Sequence, residues 1–362
     1  MKSKDLKNNL VNIAVVFATI FSMLLVCEFI IRKLYKDSMV LFPRYQTDVK
    51  YGKFTTRRVR PNMEYIHRSI DGNFDFVSNN KGFRNVNDIE YPKKENELRI
   101  LCLGDSHTLG YEVQQSQVFT TVIEKLFREI GKYATAINTG VSGSGTAEQL
   151  VLLKNEGYKY NPDFVVLGFY NNDFRNNQLC RFFKVEGDSL VIDNLVHAPG
   201  RNIQNFIYQF RVIKFLGENS YLYGITFNAI WEGIQKVRYR NAAEELKNEM
   251  TEYVIETRKN FSEYDILLMK KLMENMYNFC KKINAPLLIV DIPKTDVTSS
   301  IPQELITCFR DNSDTLFYVN DLKDELLALP KVHVKHGHNH ISEETHNLFA
   351  NKIVNFINHY YE

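Results

Sequence analysis

Residues 100–108 read Ile100-Leu101-Cys102-Leu103-Gly104-Asp105-Ser106-His107-Thr108 and set the architecture of the chain. A short apolar run closed by turn residues is the pattern of a strand buried on both faces. Gly-Asp-Ser directly after it puts a hydroxyl at the carboxyl edge of a sheet, where open α/β folds bind their ligands. A serine there is a nucleophile when a base reaches it and amide donors face the reacting oxygen. The tripeptide alone is a common motif, so its partners have to be found elsewhere in the chain.

Alternation follows on the downstream side. Arg99–Leu103 leads to a helix over Phe119–Ile130 with Val122, Leu126 and Ile130 on one face, then to a strand at Ala134–Asn138. A helix over Thr146–Glu156, with Glu148 placed as a capping-box partner, precedes a strand at Phe164–Phe169. The period breaks after Asn177, and residues 178–262 read as an insertion at a strand's carboxyl end. Regularity returns with a helix around Tyr264–Ile283, a strand at Pro286–Asp291, a short helix near Gln303–Arg310 and an apolar stretch at Leu316–Val319. A last helix covers Glu343–Tyr360. Strands alternating with helices predict an α/β fold with a parallel sheet covered on both faces. Residues 37–97 are polar and aromatic with turn signals at Pro43, Pro61, Gly72, Gly82 and Pro92, and form an irregular or β-rich lead-in.

Composition narrows the classes. The 362 residues carry a formal net charge of +2, with 44% hydrophobic and 24% charged residues, values that allow an ordinary core. No clustered basic face marks a nucleic-acid binder. Cys27, Cys102, Cys180, Cys280 and Cys308 form no CxxC pair; Cys102 reads as a small buried hydrophobe, and Cys180 and Cys308 are a possible pair in an oxidising compartment. From Leu10 to Ile31 the chain is almost continuously apolar, with Lys2, Lys4 and Lys7 before it and Arg32, Lys33 and Lys36 after it. About 22 residues at 1.5 Å rise cover a ~30 Å hydrocarbon core. Because no small-residue cleavage site follows, residues 1–36 read as an uncleaved signal anchor, with the amino terminus cytoplasmic and the bulk of the chain outside.

Three more stretches end near the carboxyl edges of strands. Asn138-Thr139-Gly140-Val141-Ser142-Gly143-Ser144-Gly145 offers backbone N–H groups that glycine lets come close to a ligand. Gly168-Phe169-Tyr170-Asn171-Asn172-Asp173 offers an amide donor, although Asx residues also cap turns. His333-Val334-Lys335-His336-Gly337-His338-Asn339-His340 precedes the last helix, where a histidine can fold back toward Ser106 as a base. His338, His340 and His346 have a zinc-like spacing, but no cysteine or repeated acidic ligand accompanies them, so no metal is expected.

In order and spacing these stretches resemble the SGNH hydrolases, the GDSL-type esterase superfamily, over roughly residues 98–176 and 264–360. Asn80-Lys81-Gly82-Phe83-Arg84 is similar to a lead-in of membrane-anchored members. The resemblance implies a three-layer α/β/α sandwich with a mostly parallel, flavodoxin-like sheet for residues 98–362, beside the membrane helix. It implies Ser106 as nucleophile and His340 as base, with the N–H groups of Ser106 and Gly143 and the amide of Asn172 as the oxyanion hole. Asp105, Asp173 and His338 fall in supporting positions. Two positions depart from the family pattern. Gly337 and His338 stand where an aspartate usually precedes the histidine, and Tyr170 stands where glycine is common. A Ser–His dyad, a backbone carbonyl or an acid from elsewhere then orients the imidazole.

The implied activity is a serine-dependent ester hydrolase or acyltransferase without cofactor, acting on O-acyl, chiefly O-acetyl, groups of a cell-envelope glycan. The alternatives are a non-catalytic glycan-binding or envelope-assembly protein on the same fold and a lysophospholipase-type lipid esterase. The expected partners are an O-acylated carbohydrate or small ester, and the membrane.

Overall fold

The computed structural model describes residues 2–35, 45–69, 71–197, 209–227, 229–230, 261–336 and 339–360. The chain begins with α1 (Lys2–Tyr35) and two hairpins, β1 (Gln46–Tyr51) with β2 (Phe54–Val59), and β3 (Glu64–Ser69) with β4 (Gly72–Val77). Then come β5 (Leu98–Gly104), α2 (Ser106–Leu109), α3 (Phe119–Glu129), β6 (Ala134–Asn138), α4 (Thr146–Asn155), β7 (Phe164–Phe169) and α5 (Asn172–Cys180). A third hairpin, β8 (Phe183–Glu186) with β9 (Ser189–Ile192), and α6 (Arg211–Asn219) lie inside the insertion. The chain closes with α7 (Glu263–Lys282), β10 (Leu287–Asp291), α8 (Ile306–Asp311), β11 (Thr315–Phe317), α9 (Lys323–Ala328) and α10 (Glu343–Tyr360).

Five strands form one sheet in the order β11-β10-β7-β5-β6, and every neighbouring pair is parallel. Counted along the chain this is the flavodoxin-like order, whose switch point lies between β5 and β7. Side-chain period explains the layering. Leu101, Leu103, Val165, Leu167, Leu287 and Ile289 enter one core with α4 and α7. Ile100, Cys102, Phe164, Val166, Leu288 and Val290 enter the other with α3 and α10. Both faces are therefore buried, which is why these strands read as unbroken apolar runs. Each fully buried Leu, Ile or Val contributes roughly 1.5–3 kcal/mol.

Several expectations need correction. In α3 the buried face is Phe119, Val122, Ile123 and Phe127, and Ile130 is exposed, because Ile130 follows the last helical turn. Glu148 makes no capping box. Gly145 caps α4 without a side chain, and Glu148 turns inward to a buried ion pair with Arg57, 2.9 Å away. Cys180 and Cys308 are both buried and both free. In the lead-in, β1–β2 and β3–β4 form hairpins, the β-rich alternative, while residues 78–97 hold no strand or helix, and Asn172–Cys180 is a helix where sequence reading placed no element.

The described chain divides into two compact units. One contains residues 44–67, 71–207 and 258–362, so β1–β2, β4, β8–β9 and the first four residues of β3 share a unit with the sheet. The other gathers residues 1–43, 68–70 and 208–257, which joins α1 to the second half of the insertion. α1 carries one span, Asn8–Tyr35, long and apolar enough to cross a membrane.

Candidate active site

Register brings the site together. Gly104 at the end of β5 is paired with Gly168 in β7, so the segments leaving the two strands emerge side by side. The following turn is tight. A Cβ on Gly104 would lie 2.0 Å from Thr108 Oγ1, and one on Gly168 would lie 2.3 Å from the same atom. Thr108 thus occupies the space that the two glycines leave, and donates to the Leu103 carbonyl at 3.2 Å. Gly104 also has φ +154, a conformation that favours glycine.

Ser106 opens α2, where an N–H group has no intrahelical acceptor. Asp105 caps this helix: its Oδ1 accepts the His107 N–H at 2.8 Å. Its Oδ2 accepts from Asn172 Nδ2 at 2.9 Å, so one carboxylate ties the serine turn to the start of α5. Asn172 keeps a second amide N–H for other use. Burial raises the pKa of Asp105, with hydrogen bonds from His107 and Asn172 opposing the shift. Asp173 points the other way. Its Oδ2 accepts from Thr146 Oγ1 at 2.8 Å, fastening α5 to α4, and burial pushes its pKa well up.

Gly143 sits in the loop after β6 at φ +73. The loop is pinned to the strand end, since Val141 N–H and Ser144 Oγ both donate to the Gly104 carbonyl, at 3.2 and 3.0 Å. The lead-in holds its outer side. Tyr45 donates to Ser142 Oγ at 2.6 Å, Gln46 to the Ser142 carbonyl at 2.8 Å, and Arg57 Nη2 to the Gly143 carbonyl. Fixing that carbonyl fixes the peptide plane on the far side of Gly143 and steadies the loop that presents its N–H. Burial raises the pKa of Glu148, but the charges of Arg57 and His197 and the hydrogen bonds from Arg57 and Thr56 together outweigh it and leave it lowered.

His340 Nε2 lies 2.8 Å from Ser106 Oγ. The residue is delivered by a short antiparallel pairing. His333 bridges Ile341, Val334 N–H donates to the His340 carbonyl at 2.9 Å, and Ser342 N–H to that of Val332 at 2.9 Å. The neighbouring histidines go elsewhere. His333 Nε2 meets the Pro293 carbonyl at 3.0 Å, His336 meets Asp71 through its ring and its N–H at 2.9 Å, and His346 accepts from the Phe119 N–H at 3.3 Å. His338 lies outside the described residues.

A ring stack walls the pair. Tyr170 lies 4.3 Å from His107, His107 4.9 Å from His340, and Tyr111 4.6 Å from His340. Burial drives His107 down to about 3, so it stands there as a neutral ring.

Sequence reading placed Ser106, Gly143, Asn172 and His340, and the fold brings their segments to one strand end. It missed Arg57, Asp71 and Arg84. Arg84 is fully buried and donates to the carbonyls of Leu109, Gly110, Asp75 and Val113, which clamps the far end of α2. Burial lowers its pKa to about 10. Only the resemblance of residues 80–84 hinted at Arg84, and nothing in sequence pairs Arg57 with Glu148.

The GDSL-like lipase/acylhydrolase model matches residues 100–353. No curated protein matches the chain. Among solved structures the chain is similar to a lipase/acylhydrolase from Enterococcus faecalis (16% identity, TM-score 0.39, covering 72% of this chain and 95% of that one). It is also similar to the psychrotrophic esterase EstA from Pseudoalteromonas sp. (13%, 0.37, 72% and 97%) and to the acetyl xylan esterase AlAXEase (12%, 0.38, 72% and 100%). With the family match running from the strand before Ser106 to the helix after His340, the chain belongs to the GDSL-like lipase/acylhydrolase family.

Proposed function

We propose that the chain is a serine esterase in which Ser106 and His340 carry acyl transfer from an O-acylated, chiefly O-acetylated, cell-envelope glycan. The 2.8 Å contact between Ser106 Oγ and His340 Nε2 carries this reading. Ser106 Oγ bonds to the ester carbonyl carbon while His340 Nε2 takes the hydroxyl proton. The negative charge gathers on the carbonyl oxygen, against the N–H groups of Ser106 and Gly143 and the free N–H of Asn172. When the ester C–O bond breaks, His340 returns the proton to the leaving alkoxide and the acyl group stays on Ser106. Water then attacks that acyl-enzyme to release the acid, or a sugar hydroxyl attacks it to form a new ester.

We read the apolar helix as an anchor with its amino terminus in the cytoplasm, a reading that sets the hydrolase domain outside, where envelope polymers are reached.

Labelling by a fluorophosphonate probe tests the chemistry. The wild type is expected to label, Ser106→Ala not at all, and His340→Ala at least 10²-fold more slowly, within the usual contribution of a general base. Equal labelling of wild type and Ser106→Ala overturns the nucleophile. Hydrolysis of p-nitrophenyl acetate in preference to long-chain esters supports the acetyl assignment, and a long-chain preference replaces it with a lipid substrate.

A further inference from the structure

The unit built from α1 and the second half of the insertion contains an ion cluster that the esterase reading does not use. Glu28 lies in the apolar span of α1, one turn before Ile31, hence about 4.5 Å short of the end of the apolar run at 1.5 Å per residue. A carboxylate at that depth is costly unless it is paired and hydrogen-bonded. Here it is both. Arg32, one turn on, contacts Glu28 Oε1 at 2.8 Å. Ser220 Oγ donates to Glu28 Oε2 at 2.8 Å, Leu222 N–H to the same oxygen at 2.9 Å, and Tyr221 N–H to Oε1 at 3.1 Å. Arg32 also donates to the Asn219 carbonyl, and its guanidinium lies 4.9 Å from the centre of the Tyr221 ring.

The membrane helix thus holds the joint between α6 and the helical stretch at 221–227. The segment fixed there exposes apolar side chains: Phe210 is 52% exposed, Val212 67%, Phe215 63% and Ile230 59%. Val212 and Phe215 are three apart on α6 and share one helical face. An interfacial helix buries such a face ~5–10 Å into the headgroup and acyl boundary. Glu28, about 4.5 Å inside the end of the apolar run at 1.5 Å per residue, ties the segment to the shallow side of that boundary.

We propose that residues 209–230 form a membrane-interface segment, with the exposed apolar face of α6 set into the lipid bilayer and docked by Glu28 and Arg32 at the end of the membrane helix. The occupant is lipid because the segment that carries the face is bonded at residues 219–222 to Glu28 and Arg32, within the span read as crossing the bilayer. The inference rests on that spanning reading.

Single cysteines at Val212, Phe215, Val16 and Asp188, in a Cys27→Ser background, would carry a nitrobenzoxadiazole dye on the full chain. The chain would sit in phosphatidylethanolamine–phosphatidylglycerol vesicles containing an acyl-chain nitroxide quencher. The remaining cysteines are buried, so the dye goes to the chosen site. Quenching several-fold stronger at 212 and 215 than at 188 supports the proposal, provided 16 is also quenched. In Glu28→Leu the quenching at 212 and 215 is expected to fall toward that at 188 while 16 is unchanged. If 16 is quenched and 212 and 215 are not, the interface segment is wrong although the anchor stands. If none is quenched, the anchor itself is wrong. A dye at 212 and 215 shielded from water yet unquenched means that a second copy of the chain covers the face, which overturns the lipid assignment. Unchanged quenching in Glu28→Leu overturns the docking role of Glu28.

Discussion

Asn172 gives the clearest test at the scale of single residues. Its amide is held by Asp105 at 2.9 Å, and in the proposed reaction its second N–H faces the oxyanion. Asn172→Ala is expected to lower kcat by about 10²–10³ with little change in KM, the signature of a donor that acts in the transition state. A loss confined to KM would remove it from the oxyanion hole. Asp105→Asn puts a donor against a donor, either at the His107 N–H or at Asn172 Nδ2, and is expected to lower kcat through the same amide. The residues that the fold gathers were legible at this scale because Ser106, Gly143, Asn172 and His340 each follow a strand or precede a helix. Asp105 was legible only as a supporting position; its bond to Asn172 was not, because that bond joins residues 67 positions apart.

At the scale of elements, hairpin β1–β2 braces the loop after β6 through Arg57. Arg57→Met leaves Glu148 buried without its cation, a loss of about 3–5 kcal/mol in unfolding free energy. The double variant Arg57→Met/Glu148→Met is expected to recover most of that stability. It should not recover kcat, because the Gly143 carbonyl still lacks its donor. Recovery of both by the double variant would reduce Arg57 to a purely structural role. Arg84 acts at the other end of α2. Arg84→Met strands several buried carbonyls at about 1–3 kcal/mol each, so chemical denaturation should show a loss above 2 kcal/mol. Periodicity could not reveal these ties, since they join residues 91 and 25 positions apart through tertiary contacts alone.

Across the whole molecule, buried titratable groups set the pH dependence of stability, and they oppose one another. Burial pushes His107 down to about 3 and His346 well below its usual range. The unfolded chain then binds more protons below pH ~6.5, and stability falls as pH drops. Burial pushes Asp291 and Glu124 up to about 7, so the folded chain binds more protons between pH ~4 and 7 and gains stability as pH drops. The net slope is their difference, and a variant comparison separates the terms. Between pH 7 and 5 one neutral buried histidine costs about 2 kcal/mol. His107→Asn should therefore lose less Tm over that interval than the wild type, whatever its stability at pH 7. A slope unchanged by the substitution would mean that His107 titrates alike in the folded and unfolded chain.

The apolar runs at 100–103, 164–169 and 287–291, the Gly-Asp-Ser turn and the apolar stretch at 10–31 fix by themselves an α/β sheet, a serine at its edge and a helix long and apolar enough to cross a membrane. Period and length carry that information locally. Tertiary structure alone decided the rest. It paired Gly104 with Gly168, turned Glu148 from a supposed cap into the partner of Arg57, and brought His340 Nε2 to 2.8 Å from Ser106 Oγ. It also divided the insertion, leaving β8–β9 with the sheet and seating the following helices on Glu28. The reason is that hydrogen bonds and ion pairs are chosen by distance in space, and residues 234 positions apart acquire a distance only once the chain has folded.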